Sequence, residues 1–128
     1  MRTISETDAY RWEVDEARNR AVATFKRDPA GRREEEEAGL AALQVTFDSL
    51  TPGFSFLCDF RKMQATKAPD LFVAAQNMLI KAGVGKIAAV YDRKTFAKFQ
   101  MSTISKKLGL KVNVFFDIEE ARAWLDQD

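Results

Sequence analysis

Hydrophobic and polar residues alternate with a period of two near the start of the chain. The runs Tyr10–Val14 and Ala21–Phe25 both show this spacing, and a polar connection separates them. A period of two is typical of strands that bury one face. The two runs therefore predict an antiparallel hairpin.

After this hairpin, helical spacing alternates with short apolar runs. Residues spaced by three and four indicate helices over Leu40–Leu50, Pro69–Ala82, Phe96–Leu108 and Ala121–Leu125. Apolar runs between them indicate buried strands at Phe54–Phe60, Ile87–Tyr91 and Val112–Phe116. Strands that alternate with helices predict crossover connections and parallel pairing. We expect residues 1–128 to form one α/β domain, with about four helices and a mixed, mainly parallel sheet of about five strands beginning with the antiparallel hairpin.

Local residues predict where the helices begin and end. Glu34–Glu37 would lie in the first turns of a helix, where negative charge interacts favourably with the helix dipole, and we prefer this interpretation to a metal site. Asp92 and Asp117 precede predicted helices and are expected to cap them. Gly83–Lys86 contains part of a phosphate-binding loop but lacks its first glycine and its hydroxyl. We interpret it as a helix end followed by a strand.

Composition limits the chemistry available to the chain. It has no histidine and a single cysteine, Cys58, which removes histidine-based catalysis, histidine metal sites and multi-cysteine zinc sites. Cys58 lies in an apolar strand, where a buried thiol is a poor nucleophile. A free cysteine in such a strand also agrees with a reducing compartment. With a net charge of +1, the chain has no overall positive potential that would attract nucleic acid. We expect a cytoplasmic binding domain that is not an enzyme and uses no cofactor or metal.

Three aspartates fall at the carboxyl ends of predicted strands, the edge at which open α/β sheets bind ligands. If Asp59, Asp92 and Asp117 converged, they could hold magnesium and support a hydrolase or a phosphoryl-transfer enzyme. Helix capping already explains Asp92 and Asp117. An enzyme is therefore our third hypothesis, after the binding of a protein partner and the binding of a small apolar ligand.

Two segments are candidates for binding. The loop after Asp59 is basic and precedes a helix, which suits an anion or an acidic partner surface, although a solvated loop has the same composition. Its candidate residues are Asp59, Arg61, Lys62, Gln64, Thr66 and Lys67.

The basic stretch 92–111 predicts an amphipathic helix. We favour the interpretation that its aromatic residues face the sheet. The alternative is that they contact an apolar ligand or an anionic membrane. Its candidate residues are Phe96, Phe99, Met101, Lys94 and Lys98.

The chain also resembles the STAS-type domains of bacterial anti-sigma-factor antagonists, in particular the short, stand-alone SpoIIAA-like proteins of bacteria. The resemblance runs from Tyr10 to Leu125 and rests on the stretches LTPGFSFLCDFR (50–61), VGKIAAVY (84–91) and FDIEEARAWL (116–125). It implies a regulatory domain that binds a protein such as an anti-sigma factor.

The resemblance also implies where this chain differs from the antagonists. Their loop carries a serine that a partner kinase phosphorylates, and the corresponding positions here, Lys67–Asp70, contain no hydroxyl. The loop is therefore carried over as a contact surface only. Some SpoIIAA-like relatives resemble CRAL-TRIO lipid-binding domains. This implies the alternative of a small apolar ligand and association with membrane surfaces.

Overall fold

The computed structural model describes residues 1–127, which form a six-stranded sheet with four helices. The strands follow their chain order across the sheet, with antiparallel pairing from β1 to β3 and parallel pairing from β3 to β6. The predicted α/β class, the mixed sheet and the hairpin are confirmed. The elements are β1 (Arg2–Glu6), β2 (Tyr10–Asp15), β3 (Arg20–Phe25), α1 (Arg33–Asp48), β4 (Ser55–Asp59), α2 (Pro69–Ala82), β5 (Ile87–Val90), α3 (Ala97–Leu108), β6 (Asn113–Phe115) and α4 (Ile118–Leu125).

The sheet has one strand more than the sequence pattern predicts. β1 pairs with β2 at the edge of the sheet, and its register shifts between Thr3 and Ser5. Its side chains are exposed or half-buried, so it lacks the apolar alternation that marks β2. An edge strand that buries little surface leaves only a weak hydrophobic pattern in the sequence.

The helices lie on both faces of the sheet. α1, α2 and α3 pack over the face that carries Trp12, Phe56 and Tyr91. α4 covers the opposite face, where Ala121 and Leu125 join the side chains of Val22, Leu57, Ala88 and Val90. Both faces of the central strands are therefore buried, as their continuous apolar runs predict. No helix within residues 1–127 has both the length and the apolar character needed to cross a membrane.

The helix boundaries confirm one predicted cap and contradict another. Asp117 caps α4, because its Oδ1 accepts hydrogen bonds from the backbone N–H groups of Glu119 (2.8 Å) and Glu120 (3.0 Å). The prediction that Asp92 caps a helix is wrong. Its carboxylate accepts the N–H of Lys94 at 3.1 Å in a turn, and α3 begins only at Ala97. A tight turn that uses an aspartate side chain has the same local sequence as a helix cap.

The connection between α2 and β5 is the helix end predicted from its glycines. Gly83 adopts φ = 81°, the left-handed conformation that ends many helices. Gly85 lies against another backbone segment, and a Cβ atom there would lie 2.7 Å from the carbonyl oxygen of Gly53. This close approach sets where β5 enters the sheet beside β4.

Candidate functional site

Asp59 and Arg61 form an ion pair at the carboxyl end of β4, in which Asp59 is buried and Arg61 is exposed. Asp59 is only 8% exposed, and its carboxylate accepts three hydrogen bonds from Arg61, through the backbone N–H (3.1 Å), Nε (2.9 Å) and Nη2 (2.8 Å). Burial acts to raise the pKa of Asp59, but the hydrogen bonds and charge of Arg61 outweigh it and lower that pKa. Asp59 therefore orients Arg61.

The second half of the β4–α2 loop is held by Asp28. Thr66 is 6% exposed, and its hydroxyl donates to Asp28 Oδ1 at 2.8 Å and accepts the N–H of Ala68 at 3.0 Å. The backbone N–H of Lys67 donates to the other Asp28 oxygen at 2.8 Å. The hydroxyl of Thr66 thus shapes the loop. The predicted partner-binding residues with exposed side chains are Arg61, Lys62, Gln64 and Lys67.

Hydrogen bonds join this loop to the start of α3. Gln100 bonds to Thr66 twice, accepting its N–H at 2.8 Å and donating to its carbonyl at 3.0 Å. The carbonyl of Gln64 accepts the N–H of Ala97 at 2.9 Å and the hydroxyl of Thr95 at 3.2 Å. The two segments that the sequence presents as separate candidates therefore form one continuous surface. The sequence contained no signal for this contact, because more than 30 residues separate its partners.

Two aromatic rings are exposed on this surface. Phe96 and Phe99 are 61% and 62% exposed, and their ring centroids lie 6.2 Å apart. The favoured expectation that these aromatic residues face the sheet is wrong. α3 instead buries Ala97, Met101, Ile104 and Ser105, which lie on another face of the helix.

Lys98 lies near the Phe99 ring, with 5.9 Å between its Nζ and the ring centroid, and two cations lie near the ring of Phe116. The Arg93 guanidinium lies 4.5 Å from the ring centroid of Phe116, and Lys98 Nζ lies 5.2 Å from the same centroid. Within residues 1–127, no carboxylate forms an ion pair with Arg93, Lys94 or Lys98. We call this region the edge surface, which comprises the accessible side chains of Arg61, Lys62, Gln64, Lys67, Arg93, Lys94, Phe96, Lys98 and Phe99.

The edge surface belongs to the most basic part of the chain. Residues 61–111 contain eleven of the 20 basic residues but only two of the 19 acidic ones. Of the ion pairs that the structure describes, only Asp59–Arg61 involves a cation of this segment. The net charge of +1, our argument against a nucleic-acid partner, therefore does not describe the charge of this surface.

An apolar cavity of about 90 Å³ lies between the sheet and helices α1 to α3. Of the residues proposed for an apolar ligand, only Met101 lines it. Its lining also includes Gln76 and Ser105, which share a hydrogen bond of 2.9 Å, and the residues Glu35 and Glu36 near the start of α1. Sequence patterns did not reveal the cavity, because it is a gap between elements.

Cys58 and the three aspartates have separate surroundings. Cys58 is buried in the cavity wall, where burial and the charge of Asp59 raise the pKa of its thiol well above the usual value. Asp59 binds Arg61, Asp92 forms a turn and Asp117 caps α4. In the described part of the chain, no three cysteine, aspartate or glutamate side chains are grouped so that they could hold a metal ion.

The function must be inferred from the chemistry of these sites. No family model matches the chain, and neither a curated protein nor a solved structure matches it. The edge surface combines exposed aromatic rings with cations on a loop that hydrogen bonds hold in place. Aromatic and arginine side chains dominate the energetics of many protein interfaces, and complementary charge accelerates association. This arrangement is suited to binding.

Proposed function

We propose that the protein is a non-catalytic regulatory domain that binds an acidic protein partner through the edge surface. The observation that carries this proposal is the exposure of Phe96 and Phe99 side by side next to Lys94 and Lys98. The rings would supply apolar contact area, and the lysines would supply attraction to acidic side chains.

The fixed shape of the loop supports this proposal. The hydrogen bonds of Thr66 to Asp28 and Gln100 hold the backbone beside the exposed basic side chains. A surface that is ordered before binding loses less conformational entropy on association. The resemblance to anti-sigma-factor antagonists also supports a regulatory role. Lys67–Asp70 contains no hydroxyl, so we propose that binding occurs without the phosphorylation switch of that family.

The test compares proteins that the purified domain captures from a lysate of its source organism. We expect the wild type to enrich a specific acidic protein. The double variant Phe96→Ser/Phe99→Ser should lose most of this enrichment, because it removes the apolar contacts. The control is Val45→Ser, which removes an exposed apolar side chain (53% exposed) from α1.

The captured protein is then purified and titrated with the same variants. Loss of affinity in the double variant with an unchanged melting temperature would support the proposal. Equal affinity of the double variant and the wild type would refute it. Binding to anionic vesicles in place of any protein would identify the edge surface as a membrane-binding surface instead.

The cavity supports a second candidate function, the binding of a small apolar ligand. Its lining is mostly aromatic and aliphatic, and a volume of about 90 Å³ limits the ligand to a small molecule or to one end of a chain. The lining includes no lysine or arginine that could pair with a carboxylate group of a ligand. We therefore expect a neutral ligand.

Filling the cavity tests this candidate. Ala75 lines the cavity, so Ala75→Leu should exclude a ligand that native mass spectrometry detects on the wild-type protein. The control Ala41→Leu places the same extra volume at an exposed position of α1. A ligand that remains bound to Ala75→Leu would show that the cavity is not its site.

A further inference from the structure

A shallow pocket lies on the sheet edge where β4, β5 and β6 end. Its lining consists of Arg61, Tyr91, Asp92, Arg93, Lys94 and Phe116. The residues that follow β4, β5 and β6 meet here because these three strands are parallel neighbours. The carboxyl edge of such a sheet is the usual location of ligands in open α/β folds.

Two guanidinium groups of the pocket are held in place. Asp59 accepts hydrogen bonds from Nε and Nη2 of Arg61, which leaves Nη1 available to a ligand. Arg93 lies over the ring of Phe116, with 4.5 Å between the guanidinium carbon and the ring centroid. A positioned guanidinium loses less conformational entropy when it binds an oxyanion.

The pocket lining contains three cations, Arg61, Arg93 and Lys94, and one carboxylate, that of Asp92. Arg93 and Lys98 approach the same ring of Phe116, although like charges repel. The carboxylates of Asp59, Asp92 and Asp117 each already accept hydrogen bonds from N–H groups of the chain. No carboxylate within residues 1–127 pairs with Arg93, Lys94 or Lys98, so a bound anion would compensate their charge.

We propose that this pocket binds a phosphate group, with Arg61, Arg93 and Lys94 as its ligands. Guanidinium groups bind phosphate through paired hydrogen bonds, and a dianion compensates more positive charge than a carboxylate does. The ring of Phe116 lies against Arg93 beside this space and suits an organic group esterified to the phosphate. This inference rests on the proposed binding function, because it names the acidic group that the edge surface recognises.

The test is a calorimetric titration of the full chain with phenyl phosphate, inorganic phosphate and benzoate. We expect saturable binding of phenyl phosphate and about tenfold weaker binding of benzoate. Tighter binding of phenyl phosphate than of inorganic phosphate would identify a phosphate ester as the ligand. Equal binding of the two would identify free phosphate.

Variants locate the binding. The double variant Arg93→Ala/Lys94→Ala should weaken phenyl phosphate by tenfold or more. The control Lys106→Ala/Lys107→Ala removes the same charge from exposed positions in the last turn of α3 and should leave the affinity nearly unchanged. An equal loss of affinity for phenyl phosphate in both variants would show that only general electrostatic attraction is at work, and would overturn the proposal. Benzoate binding as tight as phenyl phosphate, or no saturable binding, would also overturn it.

The same titration separates this inference from the proposed function. Phe96→Ser/Phe99→Ser should retain phenyl phosphate binding even though we expect it to lose the protein partner. A protein that binds its partner but not phenyl phosphate would refute the phosphate pocket alone. A protein that binds phenyl phosphate through Arg93 and Lys94 but shows no partner would refute the partner proposal alone.

Discussion

At the scale of single residues, Asp59 illustrates how a neighbour determines a role. The sequence places it at a strand end, where it could be a partner-binding, metal-binding or catalytic carboxylate. In the structure it is buried, and three hydrogen bonds from Arg61 occupy it. Its negative charge holds the guanidinium at the edge of the sheet. A sequence pattern does not distinguish these roles, because all of them favour an acid after a strand.

We expect Asp59→Asn to lower the free energy of unfolding at pH 7 by about 1–3 kcal/mol, because it removes charge-assisted hydrogen bonds from a buried site. The lowered pKa means that ionised Asp59 stabilises the fold above the unfolded-state pKa, and that this contribution disappears as pH falls through the folded-state pKa. The difference between wild type and variant should therefore shrink below about pH 4. Urea denaturation at several pH values measures it.

The exposed Asp48→Asn serves as the control, because its carboxylate bonds only to Gln44 on the surface of α1. It should change stability by less than about 0.5 kcal/mol. A difference between Asp59→Asn and wild type that stays constant down to pH 3 would contradict the assigned ion pair.

A second residue-scale prediction concerns Gly85. We expect Gly85→Ala to destabilise the protein by about 1–3 kcal/mol, because its Cβ would lie 2.7 Å from the backbone oxygen of Gly53 and two backbone segments would have to separate. Gly31→Ala is the matched control, since its Cβ would meet only Glu35 at 3.6 Å. Thermal unfolding of both variants provides the measurement. Equal melting temperatures would show that the contact at Gly85 is not tight.

At the scale of elements, α3 shows what helical periodicity does and does not determine. The pattern correctly predicts a helix with one apolar face. It leaves open which apolar residues are buried, because Phe96 and Phe99 fit a helical pattern as well as Met101 and Ile104 do. Packing against α2 and into the main core selects the second pair for burial. The exposed pair is thereby available for binding.

The different roles of Asp92 and Asp117 give a prediction at this scale. Asp117→Ala should lower stability by about 0.5–2 kcal/mol, because it leaves two N–H groups at the start of α4 without their acceptor. Asp92→Ala removes one hydrogen bond in an exposed turn and should cost less. Hydrogen exchange at the amides of Glu119 and Glu120 should accelerate only in Asp117→Ala. Unchanged exchange there would contradict the cap.

At the scale of the whole molecule, charge is distributed unevenly although the total is small. The region from 61 to 111 is strongly basic, so the rest of the chain must carry a net negative charge. Such a distribution creates a local positive potential that steers association with anionic molecules. The net charge of the whole chain does not reveal this local potential.

We therefore expect the protein to bind a cation-exchange resin at pH 7 more strongly than its net charge of +1 suggests. Lys94→Glu/Lys98→Glu should elute at lower salt than Arg32→Glu/Arg33→Glu. Both variants change the net charge equally, but the second lies beside the acidic residues of α1. Identical elution of the two variants would show that the location of charge has no effect.

The sequence by itself determined the α/β class, the hairpin and the order of nearly all strands and helices. These features follow from periodicity and turn residues, which act over a few neighbouring positions. Only the tertiary structure decided that the Arg61–Lys67 loop meets α3, that Phe96 and Phe99 are exposed, and that a cavity lies under the helices. These three features depend on the distances between segments that are far apart in the chain. Only the packing of the folded protein sets those distances.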